Sequence, residues 1–144
     1  LPGIFKYKEL NKKLECKCPP ADIKPVKITA YRWIFEDLKH FNNHHPPLKI
    51  EPNRLADSDD CEHNCDGYAL SLFTSADKAE KKLKRFLDKK PLLAEVLGNC
   101  IAEVNISETD GEGDTPEKKY GHFNFHEYEN VNLNFTFIKK LKIE

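Results

Sequence analysis

Gly67-Tyr-Ala-Leu-Ser-Leu-Phe-Thr-Ser-Ala-Asp-Lys-Ala-Glu-Lys-Lys-Leu-Lys-Arg85 is the stretch on which the fold is read. Tyr68 to Phe73 is a short apolar run opened by Gly67, the pattern of a buried strand. Thr74, followed three residues later by Asp77, resembles a helix-capping box with Asp in place of Glu. Ala79, Leu83, Phe86 and Leu87 then recur at helical spacing until Pro91, so residues 76–90 read as an amphipathic helix. Its other side carries Lys78, Lys81, Lys82, Arg85 and Lys89. Asp77 with Lys81 and Glu80 with Lys84 explain that stripe as an exposed, paired face, and no aromatics interleave with it to stack bases.

Downstream, Leu92 to Leu97 reads as a second short helix closed by Gly98, and Cys100 to Ile106 as a strand. Ser107 to Lys119 is an acidic, glycine-containing loop. Residues 121–128 and 131–138 both alternate with period two around Glu129-Asn130, which predicts an antiparallel hairpin. Upstream, residues 1–25 form an N-terminal arm with a helical turn or two, and Val26 to Ala30 alternates like a strand. Tyr31, Ile34, Phe35, Leu38 and Phe41 then recur at threes and fours, the spacing of a short helix ending before Pro46-Pro47. Residues 42–66 are irregular. The sum is one α+β domain, its sheet largely antiparallel in the C-terminal half with one long helix packed on it. The expected core is Leu70, Leu72, Leu83, Phe86, Ile101, Val104, Phe123, Phe125, Leu133 and Phe135.

Composition bounds the function. The 144 residues are 39% hydrophobic, enough for one core, and 23 basic against 24 acidic residues leave a formal charge of −1. No global field therefore draws nucleic acid or an anionic membrane. No run approaches the roughly 18 apolar residues of a membrane span, and the first twenty residues do not read as a secretory signal. The expected location is cytoplasmic; because the chain contains no Met, a removed signal stays open.

Five cysteines stand at 16, 18, 61, 65 and 100. In a reducing cytosol they would be free or metal-bound, whereas a secreted chain would pair four and leave one over. Cys16, Cys18, Cys61 and Cys65, with His63 as a substitute, could surround zinc, but the Cys-x-Cys pair is too close for an ordinary zinc knuckle. Unpaired thiols and no zinc are the expectation. In a cytosolic protein the sequons Asn105-Ile106-Ser107 and Asn134-Phe135-Thr136 carry no meaning.

Other polar groups read as ordinary surface. His122 and His126 lie four apart in a strand, roughly 13 Å, too far to share an ion. Glu108, Asp110, Glu112 and Asp114 alternate as in a calcium loop, yet Lys119 stands where the bidentate Glu is needed. The chain lacks a nucleophile elbow, a phosphate loop, a dinucleotide fingerprint and a His-Glu-x-x-His zinc motif.

Arg32, the strand ending in Ser71 to Ser75, and Glu127-Tyr128-Glu129 resemble the Arg, Ser/Thr-rich strand and Glu-x-Glu order of ADP-ribosyltransferase-like proteins. The resemblance covers about ten residues, and the compact Ser-Thr-Ser triplet is missing. It implies that Arg32 holds the phosphates of NAD, that Ser71 or Thr74 shapes the nicotinamide site, and that Glu129 stabilises the oxocarbenium-like ribose. Two functions are carried forward. The first is a protein-interaction or ligand-binding module, with a protein or small-molecule partner and no cofactor. The alternative is an NAD-dependent ADP-ribosyltransferase-like enzyme using Arg32, Ser71 and Glu129.

Overall fold

The structure is a computed structural model that describes residues 3–57 and 60–142. Its elements run α1 (Lys8–Asn11), β1 (Lys24–Pro25), β2 (Ile28–Ile34), α2 (Phe41–His44), α3 (Pro47–Ile50), α4 (Cys61–Asp66), β3 (Leu70–Phe73), α5 (Ala76–Lys89), α6 (Ala94–Leu97), β4 (Cys100–Ile106), β5 (Gly111–Gly113), β6 (His122–Glu127) and β7 (Thr136–Lys140). The strands form one antiparallel sheet in the order β1-β5-β6-β3-β2-β4-β7, so the chain is a single α+β domain.

Period-two alternation divides the apolar side chains between the two sheet faces. On one face Ala30, Leu70, Leu72, Val104, Ile106, Phe123, Phe125 and Leu133 form the main core. On the other, Phe73 and Ile101 meet Ala79, Leu83 and Leu87 of α5, with Tyr31 and Trp33 alongside. Of the expected core, Phe86 and Phe135 are only half-buried. The cap of α5 is Ser75, whose hydroxyl accepts from the Lys78 amide, one residue later than the capping-box reading placed it. Asp77 pairs with Lys81 as expected, but Lys84 turns to Asp88 and Glu80 to Lys139 of β7.

Four segments depart from the sequence reading. Residues 31–34 continue β2 and do not start a helix. Their three-and-four spacing coexists with period two, and the ladder to β4, from Ile28 opposite Ile106 to Ile34 opposite Cys100, satisfies every residue of an aromatic and β-branched run. Residues 42–66 carry α2, α3, a 3₁₀ turn at Pro52–Asp57 and α4 in place of an irregular loop. The acidic loop contains β5, which pairs with β6; Asp110, Glu112 and Asp114 spend their carboxylates on Ser107 N, Tyr128 Oη and Asn124.

The hairpin expected at Glu129-Asn130 does not form. β6 lies inside the sheet with both edges taken, by β5 and β3, so it has none left for β7. Residues 131–135 instead send Leu133 into the core, and β7 pairs with β4 at the opposite side of the sheet.

The cysteines depart as well. Cys16 is bonded to Cys61 and Cys18 to Cys65, leaving Cys100 as a buried free thiol. The unpaired-thiol expectation failed because the two pairs face each other. Cys61 and Cys65 lie on one face of α4 about 6 Å apart, and the irregular arm places Cys16 and Cys18, two residues apart, so that each meets one of them. Two rungs therefore join the arm to α4.

Candidate functional site

β2 and β3 share one register pair, Tyr31 opposite Phe73, and then part. Arg32 occupies the split. Its Nε donates to Asn43 O (2.9 Å), Nη1 to Ser71 O (3.1 Å), and Nη2 to Asn42 O (3.1 Å) and His45 O (3.3 Å). The side chain is 8% exposed and, among the described residues, forms no ion pair. The remaining N–H, on Nη1, is taken by no described residue. Burial pulls the guanidinium down to about 10, with Glu127 opposing, so it stays cationic at neutral pH.

The α2 region is shaped to receive it. Asn43 accepts from Phe35 N and donates to Phe35 O and Asp37 O, fixing the turn that presents the Asn42, Asn43 and His45 carbonyls. Beyond α6, Gly98 adopts φ +78°, and a Cβ there would stand 2.2 Å from Ile34 O, so the chain passes close against the end of β2.

Two clefts open beside this split. One, of about 240 Å³, is lined by Arg32, Trp33, Phe35, Asn42, His45, Pro47, Ile50, Ser71, Phe73, Val96 and Leu97. The other, of about 190 Å³, is lined by Pro47, Leu48, Arg54, His63, Asn64, Asp66, Gly67, Ala69, Ser71 and Asn124. They share Ser71 and Pro47 in their walls, so the two lie side by side, the first aromatic and cationic and the second polar; together they are termed the groove. Trp33, the single tryptophan, stacks on Phe73 at 5.0 Å and donates its indole N–H to Ala79 O at 2.9 Å. At the polar end, burial and the neighbouring Asp114 raise the Asp66 carboxyl above its ordinary range.

The Ser71 hydroxyl is hydrogen-bonded to His122 Nε2. Burial and Lys82 lower the His122 pKa, outweighing Glu117 and Asp114, so the ring is neutral near pH 7 and able to accept a proton. Among the described residues no carboxylate hydrogen-bonds to the ring, so the third member that orients a base in nucleophilic catalysis is missing.

Of the residues singled out by the transferase resemblance, Arg32 and Ser71 come together. Glu129 does not join them: it is exposed beyond the end of β6, its amide bonded to Ile4 O. Its neighbour Glu127 is buried, with Oε2 held by Lys6 at 2.9 Å and Oε1 without a partner among the described residues. His126 is likewise buried, its Nε2 unpartnered among the described residues, and it is not among the residues lining either cleft. Cys16, Cys18, Cys61 and Cys65 are spent in disulfides, and no group of three or more metal-ligating side chains is assembled among the described residues.

Sequence reasoning missed Trp33, His45, Asp66 and Asn124 as groove residues. No local signal marks them, because they converge only where β2 and β3 diverge. No protein-family model, curated protein or solved structure matches the chain.

Proposed function

We propose that this chain is a ligand-binding module whose groove around Ser71 takes a small planar anion, and that it works in an oxidising compartment. The observation that carries the reading is Arg32. A buried guanidinium hydrogen-bonded only by main-chain carbonyls, with the buried Glu127 near enough to act on its charge but not bonded to it, stands at the wall of an aromatic-lined cleft, and a flat ligand bearing a carboxylate or phosphate would supply a directly paired anion. Each cleft is smaller than the roughly 300–1,000 Å³ of drug-sized pockets, which favours a small ligand or one that spans both ends. Ser71 and Asn124 offer hydroxyl and amide groups to fix its orientation. Two disulfides favour an oxidising compartment over the cytosol expected from sequence.

Trp33 provides the assay. Titration with benzoate or nicotinate should change its fluorescence saturably, and Val96→Phe, a filling substitution at a half-exposed position of the cleft mouth, should weaken that binding while leaving the fold intact. Glu129→Gln should bind as the parent does. NAD belongs in the same titration. NAD binding that also depends on Glu129 would favour the transferase alternative, and no saturable response to any of the three would refute the groove reading.

A further inference from the structure

We propose that Asn105 and Asn134 are acceptors for N-linked glycans, added in a eukaryotic secretory pathway. The inference rests on the oxidising-compartment reading and goes beyond the groove. Both residues head an Asn-x-Ser/Thr sequon with no proline in the middle position. A sequon is a short pattern, and its meaning depends on whether the folded chain has room for a sugar.

Here it has room at both positions. Asn134 lies between inward-facing neighbours, Leu133 buried and Phe135 half-buried in the core, so its own side chain is turned out and exposed. Asn105 is exposed on β4. Its Oδ1 accepts from Thr29 Oγ1 at 2.8 Å, which leaves Nδ2, the atom that carries the sugar, unused by any described residue. The third residues, Ser107 and Thr136, are exposed too. Neither asparagine lines the groove.

The two positions also converge. In the β4–β7 register Glu103 lies opposite Thr136, so Asn105, two residues past Glu103, and Asn134, two residues before Thr136, flank the same end of β7. That strand is an edge of the sheet, with Phe137 42% and Ile138 43% exposed. An open edge with apolar side chains is a template for unwanted pairing, and bulky hydrophilic chains beside it would keep other strands away.

The reaction is a glycosyl transfer from a lipid-pyrophosphate oligosaccharide. The Asn Nδ2 forms a bond to the anomeric carbon, the bond from that carbon to the pyrophosphate oxygen breaks, and the amide gives up one proton as lipid pyrophosphate leaves. No oxidation or reduction is involved. Transfer acts on the unfolded chain, so the demand on the fold is only that it accommodate the product.

The test is secretion of the full chain from insect cells behind a cleavable signal, followed by intact mass before and after peptide:N-glycosidase treatment and a thiol count in denaturant. Two glycans are expected, one lost in Asn105→Gln and the other in Asn134→Gln, with one free thiol, Cys100, per chain. Secreted, folded protein with one free thiol and fewer than two glycans would overturn the glycosylation while leaving the compartment reading standing. Five reactive thiols would overturn the disulfides and the compartment reading, and five thiols with no glycan would overturn the glycosylation as well. The doubly substituted, sugar-free protein should self-associate more in light scattering than the glycosylated form.

Discussion

Arg32 Nη1 donates to the main-chain oxygen of Ser71 at 3.1 Å, one side chain taking over the bond that β2 stops offering β3 after Tyr31 meets Phe73. The sheet is thus held together at its split by a cation, and the space the split opens is the groove. Structure and site share one residue.

Arg32→Lys should therefore destabilise the fold. A lysine ammonium keeps the charge but has three donors at one point, and it cannot span carbonyls on β3 and at the end of α2. Leaving buried acceptors without donors costs about 1–3 kcal/mol each, so a loss of roughly 3 kcal/mol is expected in urea unfolding. A stability unchanged within error would mean that the carbonyls find other partners and the split is not held by Arg32.

The disulfides should act non-additively. Each closes a loop of 45 or 47 residues. With one bridge present, the other closes only the short circuit between Cys16-x-Cys18 and the turn of α4. Chain entropy then assigns about 2 kcal/mol to removing either pair alone and about 6 kcal/mol to removing both. Denaturation of Cys16→Ser/Cys61→Ser, Cys18→Ser/Cys65→Ser and the quadruple variant checks this. Equal, additive losses would contradict the ladder arrangement.

Acid should weaken the protein through His126. Burial holds its pKa down at about 4 against an ordinary value of 6.5. Between those values the unfolded chain binds a proton that the folded chain does not, so stability rises with pH there, and the contribution is full above about 6.5 and lost as pH falls towards 4. The shift corresponds to roughly 3 kcal/mol. Glu127 works the other way: burial raises its pKa, so its proton favours the fold just above the ordinary carboxylate range. Melting temperatures of the parent and His126→Phe between pH 7 and 4 separate the two, and the variant should show the flatter acid limb.

Ser75→Ala should cost about 1 kcal/mol by removing the hydroxyl that caps α5. Thr74→Ala, at the position the sequence pattern favoured, should leave the helix cap in place. Thermal unfolding of the two variants distinguishes them, and a larger helical loss in the Thr74 variant would move the cap back.

What was legible in the sequence was set by local periodicity. β4 runs over the stretch read for it, Cys100 to Ile106, and α5 ends one residue short of its expected limit, because each has a single unambiguous period. Residues 31–41 carried two periods at once, and only the seven-pair ladder with β4 selects between them. The hairpin at Glu129-Asn130 failed for a reason no window of sequence contains: the neighbours of β6 are fixed by β5 and β3, which lie elsewhere in the chain. Ser71 and Arg32 were singled out through the resemblance, yet their meeting depends on a carbonyl-lined turn at Asn42 to His45 that had been read as loop. The cysteine ladder was half legible: the i,i+4 spacing of Cys61 and Cys65 puts both on one helix face, whereas the bent arm that brings Cys16 and Cys18 to them has no periodic signal.

The groove is tested most directly by assigning the backbone and indole resonances and titrating the protein with benzoate. The largest saturable shifts are expected at the Trp33 indole N–H and at the amides of Ser71, Phe73 and Val96, with Glu129 and Ile4 unmoved. Absence of saturable shifts at those groove positions, or a response centred on Glu129, would contradict the account.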